Sequence, residues 1–263
     1  MLTYPDFDPI IFEIGPLALR WYGLMYVLGF VAAWFLAARR SREPWSVIRS
    51  DQVDDLIFYA MIGVIVGGRL GYSIVYGWQL WLADPFYVFK VWQGGMSFHG
   101  GLVGVMVAMW LWGRKIGRGM WEITDFVAPL VPIGLGAGRF GNFINGELWG
   151  KETTVPWAFN VNGRVLHPSQ LYEALLEGVV LFVILWVFSS RKRPQMAVSG
   201  MFLFWYGVFR FFVEFYRVPD VDKGYILFDW VTLGQILTAP MILAGAVLLY
   251  LAYRKNNSAE AMA

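Results

Sequence analysis

The feature that most constrains this chain is a series of apolar runs long enough to cross a membrane. A bilayer core about 30 Å thick takes about 20 helical residues to span. Spans are expected at 17–38, 53–75, 96–113, 124–145, 169–189, 199–217 and 229–253. Only 15% of the 263 residues are charged and 58% are hydrophobic, whereas an average soluble domain is roughly 25% charged. The chain therefore reads as all-α: a polytopic membrane helical bundle of about seven transmembrane helices, forming a single integral membrane domain over 1–263. The fourth span carries Pro129, Pro132 and five glycines between Gly134 and Gly146, so it is expected to bend or break. Membranes tolerate a broken helix only where the freed backbone faces protein or a cavity.

Basic residues orient the bundle. Met1 to Pro16 holds Asp6, Asp8 and Glu13 but no Lys or Arg, which is not the basic start of a secretory signal. Arg39 and Arg40 instead follow the first run. With the N-terminus outside, twelve basic residues fall in the inner segments, from Arg39 to Lys255, against five outside: Lys90, Lys151, Arg164, Arg217 and Lys223. That bias predicts N-out and C-in. Asp51, Asp54 and Asp55 suit the N-terminal end of span two. Residues 76–95, rich in Trp, Tyr and Phe, are expected to form an arm on the membrane surface. Residues 146–168 are expected to form a small external cap with little structure of its own.

Ionisable residues within spans are functional suspects. Counting helical rise from the inner face puts Arg139 about 22 Å up, Arg69 about 24 Å and Glu214 about 22 Å, with Arg210 near the middle. Arg20, Tyr22, Tyr26, His99, Glu173 and Glu177 fall in the first turns of spans entering from outside. The outer half thus collects polar groups, and the inner half is nearly free of them. Arg139, Asn142 and Asn145 share one helix face; Tyr206, Arg210, Glu214 and Arg217 form a stripe on another. Two readings stay open. These residues are structural ion pairs, with Arg20 and Arg217 snorkelling from span ends. Or four intramembrane arginines, outnumbering the acids that face them, hold an anion, since Arg is suited to bidentate phosphate binding. At that depth the anion is a phospholipid headgroup of the outer leaflet.

Several chemistries are discounted. Gly136 to Gly141 matches GxGxxG but follows no strand and lies in a span, so a dinucleotide site fails its context. There is no GxSxG elbow and no P-loop. Without Cys there is no disulfide, cysteine nucleophile or cysteine metal site, and two His make a His-rich metal site unexpected. Glycines in spans two and four also suit close helix packing.

Residues 138–150 are more specific. Gly138-Arg139-Phe140-Gly141-Asn142-Phe143-Ile144-Asn145-Gly146-Glu147-Leu148-Trp149-Gly150 meets every fixed position of G-R-x-G-N-F-x-N-x-E-x-x-G. This resembles the signature of the prolipoprotein diacylglyceryl transferases. Further resemblance follows in the same order at Arg20-Trp21-Tyr22-Gly23, at Ser97 to Leu102, at His167 to Glu173, and from Tyr206 through Arg210, Glu214 and Arg217 to Pro219 and Asp220. The resemblance implies transfer of the diacylglyceryl group of phosphatidylglycerol to the lipobox cysteine of a bacterial prelipoprotein signal peptide. A thioether forms and glycerol 1-phosphate leaves. It implies no cofactor and no metal, and as partners these two substrates and membrane lipids, not nucleic acid. It implies the bacterial inner membrane, with the site toward the periplasm. Carried over by residue, Arg139 and Arg210 become a phosphate clamp and His99 the proton-handling group. Tyr26, Gly100, Asn142, Asn145, Glu147, Gly150, Tyr206, Glu214 and Arg217 would bind or shape substrate. The rival reading is a transporter or binding protein for an anionic phospholipid. A transporter needs polar groups or a gate on both sides, and the apolar inner half argues against it.

Overall fold

The computed structural model describes residues 2–5, 7–15, 17–90, 93–219 and 224–260, with side chains at 14, 17 and 256–260 not described. Asp6, Pro16, Asp220 and Lys223 lie outside the described residues. A short strand β1 (Leu2–Thr3) and the antiparallel pair β2 (Ile10–Ile14) and β3 (Leu17–Arg20) precede α1 (Trp21–Arg40). Then come α2 (Val53–Val75), the short α3 (Trp78–Ala83), α4 (Phe98–Lys115), α5 (Met120–Val127) and α6 (Val131–Ile144). Strands β4 (Phe159–Val161) and β5 (Arg164–Leu166) lead to α7 (Ser169–Glu173), a π-helical segment (Ala174–Val180) and α8 (Leu181–Phe188). Last are α9 (Ala197–Val213), β6 (Tyr225–Leu227), β7 (Val231–Thr232) and α10 (Leu233–Glu260).

The all-α membrane class holds, with fewer unbroken spans than expected. Among the described residues, five helices are long and apolar enough to cross a membrane: Trp21–Arg40, Ser50–Val75, Ser169–Phe188, Ala197–Tyr216 and Leu233–Lys255. The expected third span is the 18-residue α4, whose ends carry His99, Arg114 and Lys115 and lower its mean hydropathy. The expected fourth span is divided into the 8-residue α5, a 3₁₀ turn at Ala128–Leu130 and the 14-residue α6. Pro129 and Pro132 sit at the starts of the turn and of α6, where a missing N–H breaks no helical bond. Span one begins at Trp21 rather than 17, because Leu17–Arg20 is strand; Arg20 precedes the helix. Large apolar side chains such as Val183, Val187 and Leu243 are exposed, as lipid-facing positions must be.

The chain divides into two compact units. One is Met1–Leu36 with Val127–Ala263; the other is Ala37–Phe126. In the second unit α2 packs on α4 through facing glycines. A Cβ added to Gly104 would lie 2.1 Å from the Gly63 carbonyl oxygen and 2.7 Å from Gly67 Cα, the close backbone approach that small residues permit between membrane helices. In the first unit α9 packs on α10 in the same way: a Cβ on Gly245 would meet Phe204 N at 2.4 Å.

Two expectations change. Arg69 is not part of an anion site. Its guanidinium donates to the carbonyls of Tyr87 (2.6 Å), Lys90 (2.9 Å), Val88 (3.0 Å), Gly95 (3.2 Å) and Gly94. One buried cation thus gathers backbone carbonyls of the 76–95 segment, whose described residues include α3 and a 3₁₀ turn at Pro85–Phe89. Within the arm, Asp84 accepts from Lys90 Nζ at 2.5 Å, which holds the Asp84 carboxyl below the usual carboxylate range. The cap also has structure of its own. β4 and β5 form a hairpin, and β1 adds to β4 in parallel. Its two turn residues, Asn162 and Gly163, have φ of 52° and 85°, the left-handed pair that tight hairpins require.

Candidate functional site

The first unit assembles a buried charge cluster from three elements. Arg139 comes from α6, Glu173 and Glu177 from α7 and the π segment, Arg210 from α9, Glu214 from the 3₁₀ turn after it and Arg217 from the extended residue that ends that turn. Glu173 is the hub and is 0% exposed. Its Oε2 faces Arg139 Nε at 3.1 Å, while its Oε1 accepts from Arg210 Nη1 and, at 2.9 Å, from Arg217 Nη1. Glu214 pairs with Arg210 Nη2 at 2.9 Å and lies 3.5 Å from Arg217 Nε. The Thr232 hydroxyl donates to Glu214 Oε1 at 3.0 Å. Gly234 leaves room for that carboxylate, since a Cβ there would come within 2.6 Å of it. Glu177 Oε2 stands 4.0 Å from Arg139 Nε, outside hydrogen-bond reach.

Three arginines therefore meet three glutamates. The expected surplus of buried guanidinium is absent here, because Arg69 is spent on carbonyls and Arg20 lies on β3. Arg217 does not snorkel; it is bound into the cluster. The cluster is nevertheless not closed. Arg139 approaches Glu173 most closely through Nε, and its side chain is 23% exposed. Both of its terminal amino groups lack a hydrogen-bond partner among the described residues. They form an open fork suited to two oxygens of one phosphate.

The other expected site residues in this unit fall around the cluster. Asn142 and Asn145 both donate to Glu147, at 3.3 Å each, so the signature motif closes on its own carboxylate. Gly146, with φ of 68°, makes the left-handed turn that brings Glu147 back under α6. Tyr26 is exposed and its hydroxyl lies 3.4 Å from that of Tyr22. Tyr206 stands one helical turn before Arg210 on α9, its ring stacked on Phe202 at 5.7 Å. Gly150 joins backbone to backbone: its N–H donates to His167 O at 2.8 Å, and a Cβ would lie 2.4 Å from Tyr216 O. His167 bonds Tyr172 through Nδ1 at 3.0 Å, and partial burial pushes its imidazole below the usual range.

His99 and Gly100 belong to the second unit. Gly100 packs against α2, where a Cβ would meet Gly67 O at 2.4 Å. His99 is exposed in the first turn of α4, its ring edge-on to Phe98 at 5.6 Å. No hydrogen bond ties its imidazole to the described residues. The glycines it precedes are held by helix contact, with Ser97 capping the turn at 3.2 Å from Gly100 N. Glu173 and Glu177 were visible in the sequence only as acids near a span start. What marks Glu173 as a hub is that three arginines from two other elements converge on it.

Fold and site together define a polytopic helical membrane protein built around a buried, partly open charge cluster. Residues 9–251 match the family model described as prolipoprotein diacylglyceryl transferase. The chain is 57% identical over 262 residues to the phosphatidylglycerol–prolipoprotein diacylglyceryl transferase of Oleidesulfovibrio alaskensis, covering 98% of each chain. It is likewise 57% identical to that of Methylococcus capsulatus, covering 98% of this chain and 100% of the relative. To that of Pseudomonas syringae pv. syringae it is 54% identical, covering 99% and 98%. The chain belongs to the prolipoprotein diacylglyceryl transferase family.

Proposed function

We propose that this chain transfers the diacylglyceryl group of phosphatidylglycerol to the lipobox cysteine thiol of a prelipoprotein. The observation that carries this reading is the open fork of Arg139 beside the buried Glu173 hub. The thiol loses its proton, and the sulfur attacks the glycerol carbon that bears the phosphate. The carbon–oxygen bond breaks, its electron pair leaves with the phosphate, and the products are a thioether and glycerol 1-phosphate. Negative charge gathers on the leaving phosphate, and fixed guanidinium donors in a dry site stabilise it as it forms. In this reading Arg139 and Arg210 hold the phosphate, with Tyr26, Asn142, Asn145, Glu147, Gly150, Tyr206, Glu214 and Arg217 shaping the substrate site. The chain contains no cysteine, so the thiol is the partner's. Incubating purified protein with phosphatidylglycerol and a lipobox peptide should raise the peptide mass by one diacylglyceryl group. An unchanged mass with well-folded protein would favour a lipid-binding protein or transporter.

His99 is the proposed acceptor of the thiol proton, as the family resemblance implies. A free thiol has a pKa near 8.5, so it ionises unaided as the pH climbs past that value. His99→Gln should be slow near neutrality and recover part of its rate by about pH 9. A deficit that stays constant over that range would leave His99 with no part in moving the proton.

We place the protein in the bacterial inner membrane with the cluster toward the periplasm, on the strength of the basic-residue bias. With no native Cys, single-cysteine labelling reads topology directly. Asn162→Cys should react with an impermeant thiol reagent from outside, and Ser190→Cys only after the membrane is opened. The opposite pattern would invert the orientation.

A further inference from the structure

Gln170 sits in α7 three residues before Glu173, so the two side chains share a helix face. Both are fully buried. Glu173 has three arginine partners, whereas neither the amide nitrogen nor the amide oxygen of Gln170 has a hydrogen-bond partner among the described residues. Buried amides are normally satisfied, and leaving one bare is costly. Gln235, also fully buried, at least accepts from Thr232 N at 3.0 Å. The partner that Gln170 lacks must both donate and accept, as hydroxyl groups do.

Position along the helix says which hydroxyls. Gln170 stands at the aqueous end of the Ser169–Phe188 span, about 4.5 Å of helical rise outward from Glu173. Glu177 lies deeper than Glu173, and it too has both carboxylate oxygens without hydrogen-bond partners. A glycerophospholipid whose phosphate is held at Arg139 extends its acylated glycerol toward the apolar interior and its headgroup alcohol toward water. The headgroup alcohol is thus at the level of Gln170. At the level of Glu177 a phospholipid offers only esters and chains, which bring no donor to a carboxylate.

We propose that Gln170 is a specificity-determining residue that reads the headgroup glycerol of phosphatidylglycerol, its amide nitrogen donating to one hydroxyl and its amide oxygen accepting from the other. This rests on the function proposed above and adds the group that distinguishes a diol headgroup from other anionic headgroups. The test compares phosphatidylglycerol with phosphatidylpropanol, which has the same charge and carbon count but lacks both hydroxyls. Transfer to a lipobox peptide is followed in detergent micelles, with kcat/KM for each lipid.

Wild type should favour phosphatidylglycerol by about tenfold or more, the scale of one or two buried hydrogen bonds. Gln170→Leu should lose about that factor on phosphatidylglycerol and change by less than about twofold on phosphatidylpropanol, so the preference collapses. Gln170→Met, of similar volume, should behave alike and serves if the leucine variant does not fold. Equal loss on both lipids, no preference in wild type, or failure of both variants to fold would each overturn the assignment in favour of a structural glutamine. No transfer by wild type from either lipid would instead overturn the functional reading, and this assignment with it.

Discussion

Arg139→Lys should cost about 10²–10³-fold in transfer rate, the scale of losing one preorganised donor to a developing anion. The melting temperature of the purified protein should barely move. Lysine keeps the charge and can still reach the Glu173 carboxylate, but it offers one point of contact where guanidinium offers a fork. Arg139 meets Glu173 most closely through Nε, so the terminal amino groups, which hydrogen-bond to none of the described residues, are what the substitution removes. Arg210→Lys should lose activity comparably but also lose stability, because both Arg210 terminal nitrogens are engaged, one with Glu173 and one with Glu214 at 2.9 Å. The contrast separates the two residues: one variant that melts normally but turns over poorly, and one that does both poorly. Near-normal turnover in Arg139→Lys would show that charge alone suffices and would remove the fork from the mechanism.

The helical membrane class was readable because bilayer length and low charge leave few alternatives, and the five unbroken spans coincide with apolar runs seen in the sequence. The site was readable in part. Helical spacing placed Arg210, Glu214 and Arg217 on one stripe, and they do converge. Depth alone could not say where each guanidinium points. Arg69 lies at nearly the calculated depth of Arg139 but turns to backbone carbonyls of its own unit. No spacing rule reports such a contact, because its acceptors carry no side-chain signal. The reading of an arginine surplus failed for the same reason. Of two further misses, one had a local signal. Asn162-Gly163 between Phe159-Asn160-Val161 and Arg164-Val165-Leu166 is a tight-hairpin pattern. The π segment Ala174–Val180 has no signal of that kind. It follows from packing, where Gly178 meets Gly136 so closely that a Cβ on it would lie 2.7 Å from the Gly136 Cα.

Glu173→Gln should produce the largest combined loss. The glutamine amide keeps the shape of the side chain but turns the hub from an ion-pair partner of three guanidiniums into a neutral group with a donor of its own facing them. The cluster goes from balanced to a net positive charge, in surroundings where Glu173 is 0% exposed. Breaking a buried ion pair by removing one partner costs about 3–5 kcal/mol, because the remaining charge stays buried without compensation. For a chain of this size that corresponds to a melting temperature lower by about 5–15 °C. Transfer activity should fall with it, since Arg139 loses the contact that aims it. Charge balance supplies an internal check. Adding Arg217→Gln to Glu173→Gln removes the excess cation, so the double variant should melt above the single one, a coupling expected only between groups in one network. Should the double variant melt lower, with the two losses simply adding, Glu173 and Arg217 would be independent contributors, and the cluster would not act as a single electrostatic unit.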